Sequence, residues 1–116
     1  MGERDHFISM EMAAIGMEMV ANWGASAIVA RLSALTRRIS EGLPSSVALR
    51  SHDRFRAPHI LCLRFPDHAL SELIARLAHE QIYVAPRLGR MRISPHVYND
   101  EADIDRLVAT LTHATA

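Results

Sequence analysis

The sequence predicts an α+β fold, an α/β sandwich in which a small, mostly antiparallel sheet carries helices on one face. The predicted order is α-α-β-β-α-β-β-α. Two observations lead there. Segments with apolar residues at helical spacing open the chain, recur in its middle and close it. Between them, short apolar or alternating runs come in hairpin-like pairs bounded by Gly, Pro and polar connections. At 116 residues the chain is one domain at most, 1–116, large enough to bury a core and small for a complete enzyme. It contains no internal repeat, low-complexity segment or linker.

Residues 6–23 read as the first helix. Ile8, Met12, Ile15 and Met19 recur at helical spacing, and Met10, Met17, Val20 and Ala21 make other faces apolar as well. A helix apolar nearly all round is buried or is covered by something else, so part of this surface is expected against a partner or a further domain. Its methionines read as adaptable packing rather than as metal or haem ligands. Gly24 breaks the pattern, and Ser26 is expected to cap a second helix over 25–41. Ile28, Val29, Leu32, Leu35 and Ile39 form its stripe, with Arg31, Arg37 and Arg38 facing away. Gly42 and Pro44 supply the stop. Arg37-Arg38 reads as a solvated face that complements the helix C-terminus.

Residues 47–50 form a short strand candidate, followed by a polar connection over 51–58. Residues 59–65 make the strongest strand pattern, ended by Pro66. Asp67 is expected to cap the third helix, in which Leu70, Leu73, Ile74 and Leu77 are the buried stripe. Residues 81–85 read as another strand, stopped by Pro86, and Gly89 turns the chain into the last strand over 91–94. Asn99 or Asp100 caps the final helix, with acids at 101 and 103 suiting its positive end. Ile104, Leu107, Val108 and Leu111 are its core face.

Composition excludes several functions. Thirteen basic and thirteen acidic side chains give a formal charge of zero, so no global field favours nucleic acid or an anionic membrane. Every basic side chain is arginine, which leaves no amine for a Schiff base. The single cysteine, Cys62, excludes an intrachain disulfide and reads as an inert buried thiol in a reducing compartment. No apolar run is long enough to span a bilayer, and Glu11 and Glu18 interrupt any signal-peptide order, so a cytoplasmic location is expected. Seven histidines show no pair at metal-ligand spacing, which argues against zinc. Ser94 and His96, two apart, do not make a nucleophile–base pair. There is no phosphate-cradling glycine loop, and the arginines lack an aromatic platform for bases.

The densest patch of geometry-demanding residues runs from Arg87 to Asp105. Arg92 alternates with Met91 and Ile93, so it points away from the core if those two point into it. A strand arginine beside a glycine turn offers a planar, permanently charged fork that grips a carboxylate through two contacts. Pairing with an acid such as Asp103, or simple solvation, is the bland alternative. Spacing alone leaves both open.

Three stretches carry a family resemblance: Gln81-Ile82-Tyr83-Val84-Ala85-Pro86-Arg87, Arg92-Ile93-Ser94-Pro95-His96-Val97-Tyr98-Asn99 and Asp103-Ile104-Asp105-Arg106-Leu107. They resemble the C-terminal part of class V aminotransferase-like enzymes, which depend on pyridoxal phosphate and share the aspartate-aminotransferase fold (fold type I). A helix ending in Trp23-Gly24, then a long helix to Leu43, resembles the family too, so nearly all of the chain is covered. Arg-Ile-Ser-x-His-x-Tyr-Asn is the most specific part.

The resemblance implies the family's small C-terminal domain. The position matching Arg92 binds the α-carboxylate of the amino-acid substrate, and Arg87 matches a second arginine near the active-site mouth. Tyr98 and Asn99 match the turn and helix cap, and His96 a hydrogen-bonder of that turn. The family's cofactor lysine, its aspartate on the pyridine nitrogen and its phosphate-cup residues lie in a large domain that should precede residue 1. No catalytic, cofactor-binding or metal-ligating residue is therefore expected here, and the chain should be inactive alone. The loop that carries a nucleophilic cysteine in the family's desulfurases is reduced to Leu88-Gly89-Arg90, without cysteine. That points to an aminotransferase, epimerase or kynureninase-like parent. The expected partners are an amino or keto acid, the large domain or a partner subunit through 6–23, and a second copy in a homodimer. Neither nucleic acid nor membrane is expected. The alternatives are a stand-alone interaction or dimerisation module and a small regulatory domain using Arg87 and Arg92 as an anion clamp.

Overall fold

Alternation and helical spacing produce the elements in the expected order. In the computed structural model, which describes residues 6–49 and 56–115, they are α1 (Phe7–Trp23), α2 (Ala25–Gly42), β1 (Ala48–Leu49), β2 (Leu61–Arg64), α3 (Asp67–His79), β3 (Ala85–Arg87), β4 (Arg90–Ile93) and α4 (Glu101–Thr115). Among the described residues the strands form one sheet in the spatial order β1-β2-β4-β3, every neighbouring pair antiparallel. The fold is α+β, as the pattern predicts.

The register decides which side chains share a face. Leu61 pairs with Ile93 and Leu63 with Met91, and all four point into the core. There they join Leu32, Leu35 and Ile39 of α2, Leu70, Leu73 and Leu77 of α3, and Ile104, Leu107 and Leu111 of α4 in one buried cluster. Burying each such side chain contributes about 2 kcal/mol, which makes this layer the main source of stability. No described helix contributes a buried residue to the opposite face of the sheet.

Several local expectations are corrected. Residues 81–84 are not strand. Ile82 N–H donates to Leu77 O at 2.8 Å and Gln81 N–H to Ala78 O at 3.0 Å, with Gln81 at φ 58°. This is a Schellman closure of α3, built on a non-glycine residue in the left-handed region. Pro86 lies inside β3 rather than ending it. Among the described residues β3 pairs only with β4, and an edge strand tolerates the absent N–H on its outer side. Ser26 is not the cap of α2: the helix begins at Ala25, and Gly24, at φ 79°, occupies the cap position. Gly42 is the last helical residue, not the first one past the end. Residues 59–60 precede β2 instead of belonging to it. α3 begins at Asp67 with Pro66 at its cap position; the capping role expected of the Asp67 side chain lies outside the described residues, as does Arg50 in the first strand.

The cap of α4 forms as the acids suggest. Asp100 Oδ1 accepts the Asp103 N–H at 2.9 Å, and Asp103 Oδ2 accepts the Asp100 N–H at 3.4 Å, a reciprocal box.

α1 buries none of its residues, and Ile15 in its middle is 64% exposed. No single helix is long and apolar enough to cross a membrane; α1 and α2 reach that length and composition only together, across an 80° bend.

Candidate functional site

The hairpin of β3 and β4 positions the site. Leu88 at φ 50° and Gly89 at φ 70° form its two-residue connection, with Arg87 and Arg90 as the flanking pair. Two consecutive positive φ values are the signature of a type I′ turn, whose twist matches that of the strands it joins. The loop is thus one residue shorter than Leu88-Gly89-Arg90, and Arg90 already belongs to β4.

Alternation along the strands then fixes the outward face. Met91 and Ile93 are buried, so Arg90 and Arg92 stand on the other side, about 7 Å apart. Arg92 lies opposite Cys62 on β2 and Ala85 on β3; Arg90 lies opposite Arg87, about 5 Å away at the backbone. Arg64, two residues beyond Cys62, is on the same face and exposed. Strands β2, β3 and β4 therefore present four arginines outward, and none of the three carries an acid. Of these arginines the sequence reading singled out Arg92 and Arg87. Arg64 and Arg90 were missed, although the alternation in Leu61–Arg64 and Arg90–Ile93 carries the signal. Cys62 is also corrected: it is half-buried on this outward face, not a core thiol.

Arg92 is half-buried, and its Nε is buried without a hydrogen-bond partner. The pairing with Asp103 does not occur. Asp103 receives Asn99 Nδ2 at 3.1 Å as well as the Asp100 N–H. The Asn99 hydrogen bond, reinforced by that backbone N–H, holds its carboxyl below the usual carboxylate value. Asn99 also accepts the His96 N–H at 2.9 Å, and the His96 ring stacks on Tyr98 with centroids 5.1 Å apart. His96 makes its turn hydrogen bonds through the backbone, its N–H donating to Asn99 Oδ1 and its carbonyl accepting the Asn99 N–H at 3.0 Å.

The helical arginines behave differently. Arg38 grips Asp105 through two bonds of 2.7 Å, from Nε and Nη2. Arg31 Nη1 pairs with Glu101 at 2.5 Å, while its Nη2 donates to Asn99 O at 2.9 Å. These guanidinium groups are the main cause of the lowered Glu101 and Asp105 carboxyl values. Both pairs are exposed and tie α2 to α4 at the surface, where ion pairs contribute little. The charge balance is thus segregated: acids on α4 neutralise arginines on α2, and the sheet arginines form no ion pair among the described residues.

A pocket of about 270 Å³ lies elsewhere, between residues 81–84, the turn after β4 and α4. Its charged groups are already engaged, Asp103 in the helix cap and Arg106 through a 2.7 Å bond from Nη2 to Glu80 O. None of the four sheet arginines lines it, so the open arginine face is the better site. Among the described residues no cluster of three His, Cys, Asp or Glu side chains could hold a metal.

No protein-family profile matches the sequence, and no curated protein matches it either. Among solved structures, a NifS-like protein matches 89% of the chain with a TM-score of 0.77 at 23% identity. The chain spans 32% of that protein's length. The likeness establishes the fold: this α+β arrangement is that of a part of a NifS-like protein.

Proposed function

We propose that the chain is the small C-terminal domain of a longer, pyridoxal-phosphate-dependent enzyme of the class V aminotransferase type, and that Arg92 binds the substrate's α-carboxylate. The observation that carries this reading is the Arg92 Nε, buried on an open sheet face without a partner. Buried polar groups are normally satisfied, and an orphaned one at a site awaits its acceptor. The fold likeness and the Arg-Ile-Ser-x-His-x-Tyr-Asn segment, which runs from β4 to the cap of α4, support the assignment.

The residues of this chain do not fit pyridoxal phosphate. There is no lysine among the 116 residues to form its Schiff base, so the cofactor belongs to the rest of the enzyme. The domain recognises substrate and is silent alone. The short Leu88-Gly89 connection carries no nucleophilic cysteine, which favours an aminotransferase, epimerase or kynureninase-like reaction. In this reading α1 is covered by the large domain or a partner subunit, and the enzyme is a cytoplasmic homodimer.

The test is Arg92→Ala in the lysine-bearing enzyme. Loss of a charge-assisted, two-contact grip should raise the KM for the amino acid roughly ten- to a hundredfold. An unchanged KM removes Arg92 from the site. A second reading, a stand-alone interaction module, rests on the exposed apolar surface of α1. Sedimentation distinguishes it, since a concentration-independent monomer would count against such a module.

A further inference from the structure

Most of the open apolar surface lies on α1, which holds nine of the thirteen large hydrophobic side chains exposed among the described residues. A patch of that extent marks an interaction surface. The chain has no repeat at the scale of its elements, but α1 repeats itself inside. Ile8-Ser9-Met10-Glu11-Met12-Ala13-Ala14 is followed directly by Ile15-Gly16-Met17-Glu18-Met19-Val20-Ala21. Five of the seven positions are identical, and the other two exchange one small or apolar residue for another.

A period of seven is the period of helices wound on one another. Ile8, Met12, Ile15 and Met19 follow at spacings of four, three and four, so they form one seam along the helix. Glu11 and Glu18 flank that seam on one side; Ser9, Gly16 and Trp23 flank it on the other. The flanks decide what lies against the seam. α1 carries two acids and no base, so an anionic lipid surface repels it. An antiparallel copy of α1 would set glutamate against glutamate. A parallel copy sets Glu11 against Gly16 and Glu18 against Trp23 of its neighbour, with no like charges opposed.

Area and side-chain shape set the number of copies. At about 1.5 Å per residue α1 is about 25 Å long, and a rod of that length about 10 Å across has a side of about 800 Å². A stable interface takes about 800 Å² from each partner. One neighbour covers half of such a rod at most, whereas a four-helix bundle gives each helix two neighbours. The seam agrees. Its three-residue step runs from Met12 to Ile15, which puts methionine, unbranched at Cβ like leucine, at the first heptad position and β-branched isoleucine at the fourth. Leucine and isoleucine in that arrangement favour more than two strands. Ala13 and Val20, beyond the small flank, widen the apolar face as four strands require. The 80° bend between α1 and α2 turns the rest of the chain aside from the α1 axis.

We propose that the 116-residue chain assembles through α1 into a parallel bundle of four copies, packed along Ile8, Met12, Ile15 and Met19. This deepens the second reading given above, the interaction module, by naming its partner; it is independent of the Arg92 assignment.

The test is analytical ultracentrifugation of the whole chain from dilute to concentrated solution. Monomer is expected to pass into a species of four-chain mass. Because α1 buries none of its residues, substitutions on it leave the rest of the chain folded, which thermal unfolding checks. Ile15→Asp brings a carboxylate from every copy into the seam and should raise the half-assembly concentration roughly a hundredfold. Met17→Gln, on the side of α1 away from the seam, should leave it near the parent value. In a Cys62→Ser background, Ile8→Cys should cross-link into dimers under mild oxidation, because parallel copies bring their first turns together. Monomer at every concentration would overturn the bundle and the interaction module together, leaving Arg92 untouched. A two-chain end point, or assembly that survives Ile15→Asp, would overturn the bundle while the module stands. Ile8→Cys chains that assemble without cross-linking would overturn the parallel arrangement.

Discussion

Removing Arg92, the proposed carboxylate binder, should make the 116-residue chain more stable. Arg92 places its Nε in the sheet face without a partner. A buried donor left unsatisfied costs about 1–3 kcal/mol, and the lower end applies because the residue is only half-buried and its terminal nitrogens can reach water. Methionine keeps the length and apolar contact of the stem without a polar atom. Loss of the charge also relieves repulsion from Arg90, worth a few tenths of a kcal/mol at most in exposed surroundings. Arg92→Met is therefore expected to gain about 1 kcal/mol, or roughly 4 °C in Tm for a chain of this size. Urea unfolding followed by circular dichroism measures it, with Arg37→Met as an exposed control within about 0.5 kcal/mol of the parent. A loss of 1 kcal/mol or more in Arg92→Met would show that Arg92 holds the sheet together. The argument from an orphaned, ligand-seeking donor would then be wrong.

Other perturbations test the scaffold. A Cβ at Gly42 would meet Val108 Cγ1 at 2.9 Å, so overpacking of about 1–3 kcal/mol opposes a helix-propensity gain of about 1 kcal/mol. Gly42→Ala should be neutral or destabilising in the parent and stabilising in a Val108→Ala background; equal effects in both would contradict the contact. Buried Thr36 Oγ1 lies 3.0 Å from Leu32 O and 3.1 Å from Pro58 O, linking α2 to the turn before β2. Thr36→Val should lose about 1–2 kcal/mol in denaturant titration, and an unchanged midpoint would dismiss the link. Glu101, Asp103 and Asp105 have carboxyl values below their ordinary 4.5 and 3.8, so they contribute stability above those values. That contribution is lost as pH falls through the lowered folded values. Arg38→Gln should flatten the Asp105 part of this acid dependence, read from the urea midpoint against pH.

Element order and core faces were legible because they rest on periodicity. The stripe Leu32, Leu35, Ile39 and the pair Met91, Ile93 reach the core as their spacing dictates. What failed depended on single backbone decisions. Gln81 enters the left-handed region to close α3, which no residue type announces as Gly or Asn would, so a strand was expected where a helix cap forms. The run around Cys62 is apolar on both sides and cannot tell which residues face out. Register against Arg92 decides that, and register is a tertiary property. The arginine face was half legible: alternation placed Arg92, but the opposition of Arg87 and Arg90 needed the turn length. The apolarity of α1 signalled a surface that the described residues do not cover, and none of its residues is buried.

The central claim is that these 116 residues are one domain of a larger enzyme. It is tested most directly by the mass of the endogenous polypeptide, detected in its source cells with an antibody against residues 81–105. Since the chain spans 32% of the NifS-like protein it resembles in fold, the account predicts a band about three times longer. A band at 116 residues would contradict it. The arginine face and α1 would then belong to a stand-alone protein whose partner is encoded elsewhere.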